Sequence, residues 1–378
     1  MTLPAPGGAG QHTVRRHNLA LVLGEVAAAE PVSRAGVAAR TGLTRGTVSS
    51  LVEELIEAGL LTELAAARGG TGRPASPLQL NRSGPAGLGL EIGVDHVGAC
   101  VVDLSGTVRA LRTAPSGHRD RPPTAGLGAV AKLAAAVVAE AGLAVCGAGV
   151  ALPGLIGAGG RVQHAPNLPG WTDVPVAAEL TGLLGIPVVQ AANEADLAAL
   201  AELWFGPSGA AGPGRPGPTF LFVSGGIGVG AGIVLDGRLF RGAGGRAGEL
   251  GHVVVEPDGR RCRCGGRGCL EQAAGQEALL RATATATVDD LLARPAAAID
   301  PAARALGVAL TGAVHLLDVR TVVLGGLYAR LGDRLRRSVE AELAARVGPV
   351  DVRLSAPGTG GALRAAAASV VRERLNSP

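Results

Sequence analysis

Three of the five cysteines fall within one short stretch, as Cys262-Arg263-Cys264, four further residues and Cys269, and nine residues separate His252 from the first. Three thiolates and one imidazole complete a tetrahedral shell for zinc and leave no position for a bound water, so the spacing predicts a structural metal site. Free cysteines are ordinarily dispersed and buried, which argues against three unrelated thiols sharing one loop. Any fold this chain adopts must therefore bring His252 back onto a knuckle formed by residues 262–269. Arg261, Arg263 and Arg267 flank the thiolates and are expected to offset their charge. The pattern fits a reduced compartment and not a disulfide framework.

At 378 residues the chain has room for two or three domains. With 47% hydrophobic and 17% charged residues it reads as globular, and its 60 glycines and 24 prolines imply many tight turns. The opening segment has no leader pattern and no apolar run of membrane length interrupts the chain, so the expectation is a cytoplasmic protein without membrane insertion. A net charge of +4 does not by itself announce a nucleic-acid partner. The bunching of Arg15, Arg16, Arg34, Arg40, Arg45, Arg68, Arg73 and Arg82 before residue 90 predicts a surface that follows a phosphate backbone.

Residues 1–12 are Pro/Gly/Ala-rich and read as a disordered tail ahead of a DNA-binding domain over 13–80. Leu19, Val22, Leu23 and Val26 recur at helical spacing; Ser33 caps a second helix over Arg34–Arg40, Gly42 makes the turn, and Thr44 caps a third helix to about Ala58. On that third helix Val48, Leu51, Val52, Leu55 and Ile56 form one apolar face. Arg45, Gly46, Thr47, Ser49 and Ser50 crowd the N-terminal half of the others, the composition of a recognition helix that enters a major groove by its N-terminal end. Strands at Leu60–Leu64 and Pro77–Leu80 then flank a basic glycine-rich loop, a wing whose Arg68 and Arg73 would reach phosphates or the minor groove.

A linker over 81–87 leads into the remaining chain, 88–378, where strands and helices alternate in two successive sets. The first set runs from the strand pair Leu88–Asp103 to the strand Val145–Leu152; the second includes the helix Ala195–Phe205 and strands at Thr219–Val223, Ala231–Leu235 and Thr321–Leu324. Such doubling predicts two α/β lobes around a cleft.

Gly248-Glu249-Leu250-Gly251-His252, followed by the cysteine knuckle and Leu270-Glu271, resembles the signature of the ROK family of repressors, open reading frames and kinases. The winged helix ahead of it, with Thr71-Gly72-Arg73-Pro74 in its wing, is similar to the family's repressor branch. The resemblance implies an actin-like, sugar-kinase-like domain in two lobes. It also implies a sugar held by Asn193, Glu194, Glu249, His252 and Glu271, with Asn167, in Asn167-Leu168-Pro169-Gly170-Trp171, as a further hydroxyl partner. His252 would then serve twice, one ring nitrogen on zinc and the other toward the sugar.

Two departures separate the chain from the kinases it resembles. Glu194 stands where they carry the catalytic Asp, and a misplacement of ~1 Å can cost on the order of a hundredfold in rate. The first phosphate turn reads Glu91-Ile92-Gly93-Val94-Asp95-His96, which lacks the second glycine and the threonine and sets Asp95 where phosphates would lie. The glycine-rich Ser224–Gly230 loop alone is a weak phosphate signal. The expectation is therefore a non-enzymatic, sugar- or sugar phosphate-responsive repressor, a homodimer or homotetramer on operator DNA whose linker transmits the signal. A sugar kinase with an accessory DNA-binding module is the alternative, and docking of a transporter or other protein by the C-terminal domain is a third reading.

Overall fold

A computed structural model describes residues 11–65, 76–209, 217–356 and 360–378. The head begins with helices α1 (Gln11–Ala29), α2 (Arg34–Thr41) and α3 (Arg45–Glu57), followed by strands β1 (Leu61–Glu63) and β2 (Leu78–Leu80), which pair antiparallel. The helix α1 takes in Gln11 and His12, which the sequence reading assigned to a disordered tail. The hydroxyls of Ser33 and Thr44 accept from Gly36 N and Thr47 N and so cap α2 and α3, and Gly42 takes the left-handed conformation between them. Residues 66–75, which carry Arg68, Arg73 and the centre of the expected wing, lie outside the described residues.

The first lobe contains β3 (Ala86–Ile92), β4 (His96–Val102), β5 (Val108–Pro115), α4 (Pro123–Ala141), β6 (Val145–Leu152), a small hairpin β7 (Leu155–Gly157) and β8 (Arg161–His164), α5 (Val176–Leu184) and β9 (Val188–Asn193). The second contains α6 (Glu194–Phe205), β10 (Phe220–Gly225), β11 (Val229–Leu235), β12 (Arg238–Phe240), α7 (Leu270–Ala274), α8 (Gln276–Thr283), α9 (Val288–Leu292), α10 (Asp300–Leu317), β13 (Thr321–Gly326), α11 (Leu327–Leu331), α12 (Asp333–Val347), β14 (Asp351–Leu354) and α13 (Gly361–Asn376). The two main sheets have the orders β5-β4-β3-β6-β9 and β12-β11-β10-β13-β14. Each is an antiparallel three-strand meander extended by two parallel strands, so the second lobe repeats the first strand for strand. The helix after each fifth strand crosses over: α6 packs on β10 and β11, α13 packs on β3, β4 and β6, and the two helices pack on each other. Arg364 and Arg372 of α13 lie 3.6 Å and 4.6 Å from the ring centroids of Phe205 and Trp204 at the end of α6.

The segment 81–87 is a packed turn and the start of β3. Asn81 Nδ2 donates to Gly59 O at 2.9 Å and its Oδ1 accepts from Ser83 N, which ties the turn to the head. The head in turn shares one apolar core with β4 of the first lobe and with α13, which crosses onto that lobe's sheet: Leu19, Val22, Leu55 and Leu78 belong to the same buried cluster as Cys100 and Val102 of β4 and Leu363, Ala367 and Val371 of α13. Two helices, α4 and the stretch Ala297–Leu317 that includes α10, are long and apolar enough to cross a bilayer by length and composition, although charged residues such as Lys132 and Glu140 of α4 interrupt them. Each packs within its lobe, α4 on β3, β4 and β5, and α10 on α7 and α12.

Candidate functional site

A cavity of about 980 Å³ opens between the lobes. Its walls include Asn167, Asn193, Glu194, Glu249, His252 and Glu271, so the six residues expected to hold a sugar come together from separate elements. Asn193 ends β9 and caps α6: its Oδ1 accepts from Ala195 N and its Nδ2 donates to Gly154 O, both at 2.8 Å. Glu194 opens α6. Its carboxyl is pushed up to about 7, first by burial and then by repulsion from Glu91, with Asp95 and Glu271 adding to it. Two residues along, Asp196 is buried and is pushed up to about 6 by burial, against the pull of Arg241, which lies 3.6 Å away.

Asn167 and Glu271 meet at the floor. Asn167 Nδ2 donates to Glu271 Oε2 at 3.4 Å, and Val229 N donates to the same oxygen at 3.2 Å. Gly228 permits this approach, since a Cβ there would lie 2.6 Å from Glu271 Oε2 and 3.1 Å from Asn167 Nδ2. The glycine loop after β10 is thus filled by the carboxylate that its own amide holds. Trp171 is fully buried in the first lobe's core, as its size favours.

The first turn carries a charge arrangement that the sequence reading did not foresee. His96 Nδ1 lies 2.8 Å from Asp95 Oδ1 and Nε2 lies 3.5 Å from Glu91 Oε1. Its pKa rises to about 10, chiefly through the hydrogen bond with Asp95 and then that with Glu91, while that same bond to His96 is the largest influence holding the Asp95 carboxyl below the usual range. Asp95 is thus paired within the turn, and the one imidazolium is shared between its carboxylate and that of Glu91. What stands at the phosphate cradle is the imidazole: a Cβ on Gly93 would overlap the His96 ring.

His252, Cys262, Cys264 and Cys269 place one ligand atom each within 4.8 Å of one another. The Sγ atoms of Cys264 and Cys269 are 3.7 Å apart, and Cys262 Sγ is 3.8 Å from His252 Nδ1. Ligands at about 2.3 Å on tetrahedral corners stand about 3.8 Å apart, so the four residues fit zinc. Burial and the neighbouring thiols push the Cys269 thiol up to about 12, a crowding that a divalent cation relieves. His252 turns Nδ1 to the cysteines, while Nε2 lies 3.8 Å from Glu249 Oε2 at the cavity wall. Arg263, between two of the cysteines, makes its hydrogen bonds elsewhere: its Nη1 donates to Asn167 Oδ1 at 3.1 Å and its Nη2 to Glu277 Oε2 at 3.0 Å. Glu277 and Arg119 carry no local signal in the chain, because their positions matter only once the lobes are assembled.

On α3, Arg45, Gly46 and Ser50 are exposed, and Thr47 and Ser49 are half-buried. Thr47 Oγ1 lies 2.8 Å from Thr44 Oγ1, so its hydroxyl takes part in the cap. The expected basic surface is smaller than the sequence implied. Arg15 pairs with Glu54 at 2.5 Å, Arg40 with Glu25 at 3.9 Å and Arg82 with Glu30 at 3.5 Å, and Arg34 pairs with Glu63. Among the described residues of the head, Arg16 and Arg45 have no carboxylate in ion-pair range.

Comparison with known proteins places this geometry. A ROK family model matches residues 87–369 and a MarR family model matches residues 20–70. The chain is 26% identical to the xylose repressor of Bacillus subtilis, over 90% of this chain and 89% of that protein. It is 32% identical to the xylose repressor of Caldicellulosiruptor bescii, over 72% and 67%, and 32% identical to the glucokinase of Thermotoga maritima, over 60% and 79%. Among solved structures, a ROK family transcriptional regulator, a homologue of the E. coli MLC protein, superposes with a TM-score of 0.76 at 24% identity, covering 96% of this chain and 97% of that one. A ROK family glucokinase from Streptomyces griseus in complex with glucose and AMPPNP gives 0.64 at 27%, covering 75% and 98%. The Bacillus subtilis repressor is matched over 90% of this chain and the Thermotoga maritima glucokinase over 60%, and on the family match over residues 87–369 this chain belongs to the ROK family, with a MarR-like helix-turn-helix at its N-terminus.

Proposed function

We propose that the protein is a transcriptional repressor of carbohydrate uptake or catabolism genes, whose affinity for operator DNA changes when a sugar enters the interlobe cavity. Residues 13–80 are the DNA-binding domain, 88–378 the sensor. Arg45, Gly46, Thr47, Ser49 and Ser50 face the major groove, with Arg68 and Arg73 of the wing on phosphates or in the minor groove. Asn167, Asn193, Glu194, Glu249, His252 and Glu271 hold the sugar, and zinc on His252, Cys262, Cys264 and Cys269 braces that wall. The operator is taken to be palindromic and read by a homodimer or homotetramer.

The observation that carries this reading is the course of α13. Gly360, Gly361 and Ala362 at its start line the cavity, and Leu363, Ala367 and Val371 along its flank close the core of the head. Sixteen helical residues span about 24 Å, so one rigid element reaches from the sensor wall to the DNA-reading module. In this reading the helix, and not the 81–87 turn, carries the signal. A sugar shifts operator affinity only by as much as it prefers one arrangement of α13 over the other.

One observation favours a kinase instead: a carboxyl near 7 at Glu194 suits a general base. Against it, His96 covers the glycine that would cradle phosphate. Titration of operator binding against D-xylose, D-glucose and N-acetyl-D-glucosamine, with ADP release measured in parallel, separates the two. A sugar-dependent change in operator affinity without turnover supports the repressor; turnover with no operator affinity under any condition overturns it.

A further inference from the structure

A four-residue chain crosses from one lobe to the other beside the zinc knuckle. From the first lobe, Arg119 Nη1 donates to Glu277 Oε1 at 2.8 Å; from the knuckle, Arg263 Nη2 donates to both carboxylate oxygens of Glu277, at 3.3 Å and 3.0 Å. Burial works against the charge on Glu277, but the two guanidiniums outweigh it and hold the carboxyl below its usual range. With Nη2 fixed in this way, Arg263 Nη1 is aimed at Asn167 Oδ1, 3.1 Å away.

We propose that Arg263 is a positioning residue that determines which hydroxyl pattern the cavity accepts; this rests on the sugar reading of the cleft. Arginine only donates, so the atom of Asn167 that faces Arg263 must be its oxygen. Between Arg263 and Glu271, the Asn167 amide has one permitted orientation, oxygen toward Arg263 and nitrogen toward Glu271. That leaves the second Nδ2 hydrogen of Asn167 as a donor. Glu271 Oε2 already accepts from Asn167 and Val229, and Oε1, which lies 3.9 Å from Cys262 Sγ, keeps further acceptor capacity. The floor thus presents one fixed donor beside one fixed acceptor, which matches a hydroxyl, or two adjacent hydroxyls, of an unmodified polyol. Without Arg263 the amide is free to flip, and the pair no longer discriminates.

The test uses the full chain and whichever of D-xylose, D-glucose and N-acetyl-D-glucosamine binds most tightly by calorimetry, together with its monodeoxy analogues. If none of the three binds, the sugar reading itself fails. Otherwise Arg263→Ala is expected to bind that sugar about tenfold more weakly and to lose most of the discrimination against one deoxy analogue. Arg263→Lys, which keeps the charge but not the fork, is expected to behave like Arg263→Ala. Zinc content is measured on each variant. Asn167→Ala should show the same loss, and the double variant should lose no more than either single one. Binding by Arg263→Ala within twofold of the parent, with discrimination intact, overturns the proposal. Losses that add in the double variant overturn it as well.

Discussion

The imidazole of His96 lies 2.8 Å from the Asp95 carboxylate and is folded back over Gly93. A histidine whose pKa is about 10 in the folded chain and about 6.5 when unfolded binds its proton more tightly in the native state. Its contribution is fully present below pH 6.5 and is lost as the pH rises through 10. The ring is 37% exposed, so solvent screening reduces the effect to about 1 kcal/mol. Thermal melts from pH 6 to pH 10 should show the parent losing stability relative to His96→Gln; parallel curves would contradict this.

Glu194 has the opposite consequence at neutral pH. Its raised carboxyl pKa means the native state favours the protonated form, so its stabilising contribution is present below pH 4.5 and lost as the pH rises through about 7. Glu194→Gln should therefore melt a few degrees higher than the parent at pH 8, and the difference should shrink at pH 5.

His118 is buried, and neither ring nitrogen has a hydrogen-bond partner among the described residues. Burial, followed by repulsion from Arg121, holds its pKa below the usual value, so the native state keeps it neutral. The stability this gives is present above pH 6.5 and is lost as the pH falls. Denaturant titrations at pH 7.5 and pH 5.5 should show a larger drop for the parent than for His118→Gln.

Zinc removal should separate sensing from DNA binding. Metal analysis is expected to give one zinc per chain; chelation under reducing conditions should lower the melting temperature and weaken sugar binding by about tenfold or more. Operator affinity without sugar should change far less, because none of the knuckle's residues belongs to the buried cluster that holds the head to β4 and α13.

Arg45→Ala should weaken operator binding about 10- to 100-fold in gel-shift or anisotropy assays. Arg15→Ala should leave it nearly unchanged, since Arg15 is engaged by Glu54. Equal losses for the two variants would mean that the sequence-level view of a broad basic surface was the better one.

Val371→Ala should shrink the sugar-induced change in operator affinity while sugar affinity stays within about twofold. Ser83→Gly, in the 81–87 turn, should leave that change intact. The reverse pattern would return the signal to the turn.

Much of this arrangement was legible in the order of residues. Helix caps at Ser33 and Thr44, the strand Val145–Leu152 and the zinc ligands all follow from local spacing, and the family signature brought the cavity residues together by number. The parts that were missed are relationships between distant segments. The pairing of Arg263 with Asn167 spans 96 positions and that of Arg119 with Glu277 spans 158, and no periodicity reports them. The strands β5 and β14 escaped notice because Val108–Pro115 and Asp351–Leu354 alternate with charged residues at the exposed edges of their sheets. The pairing of His96 with Asp95 and Glu91 follows from no spacing rule, since it depends on how the turn folds back.

The apolar seam joining Leu19 and Val22 to Ala367 and Val371 limits how freely this module can be transplanted. A chimera that grafts residues 11–85 onto another sensor would carry a raw hydrophobic flank, and it would associate or unfold unless the recipient's last helix supplied matching side chains. Successful exchange of specificity between such proteins therefore means moving the reading module and the facing stripe of the terminal helix as one unit.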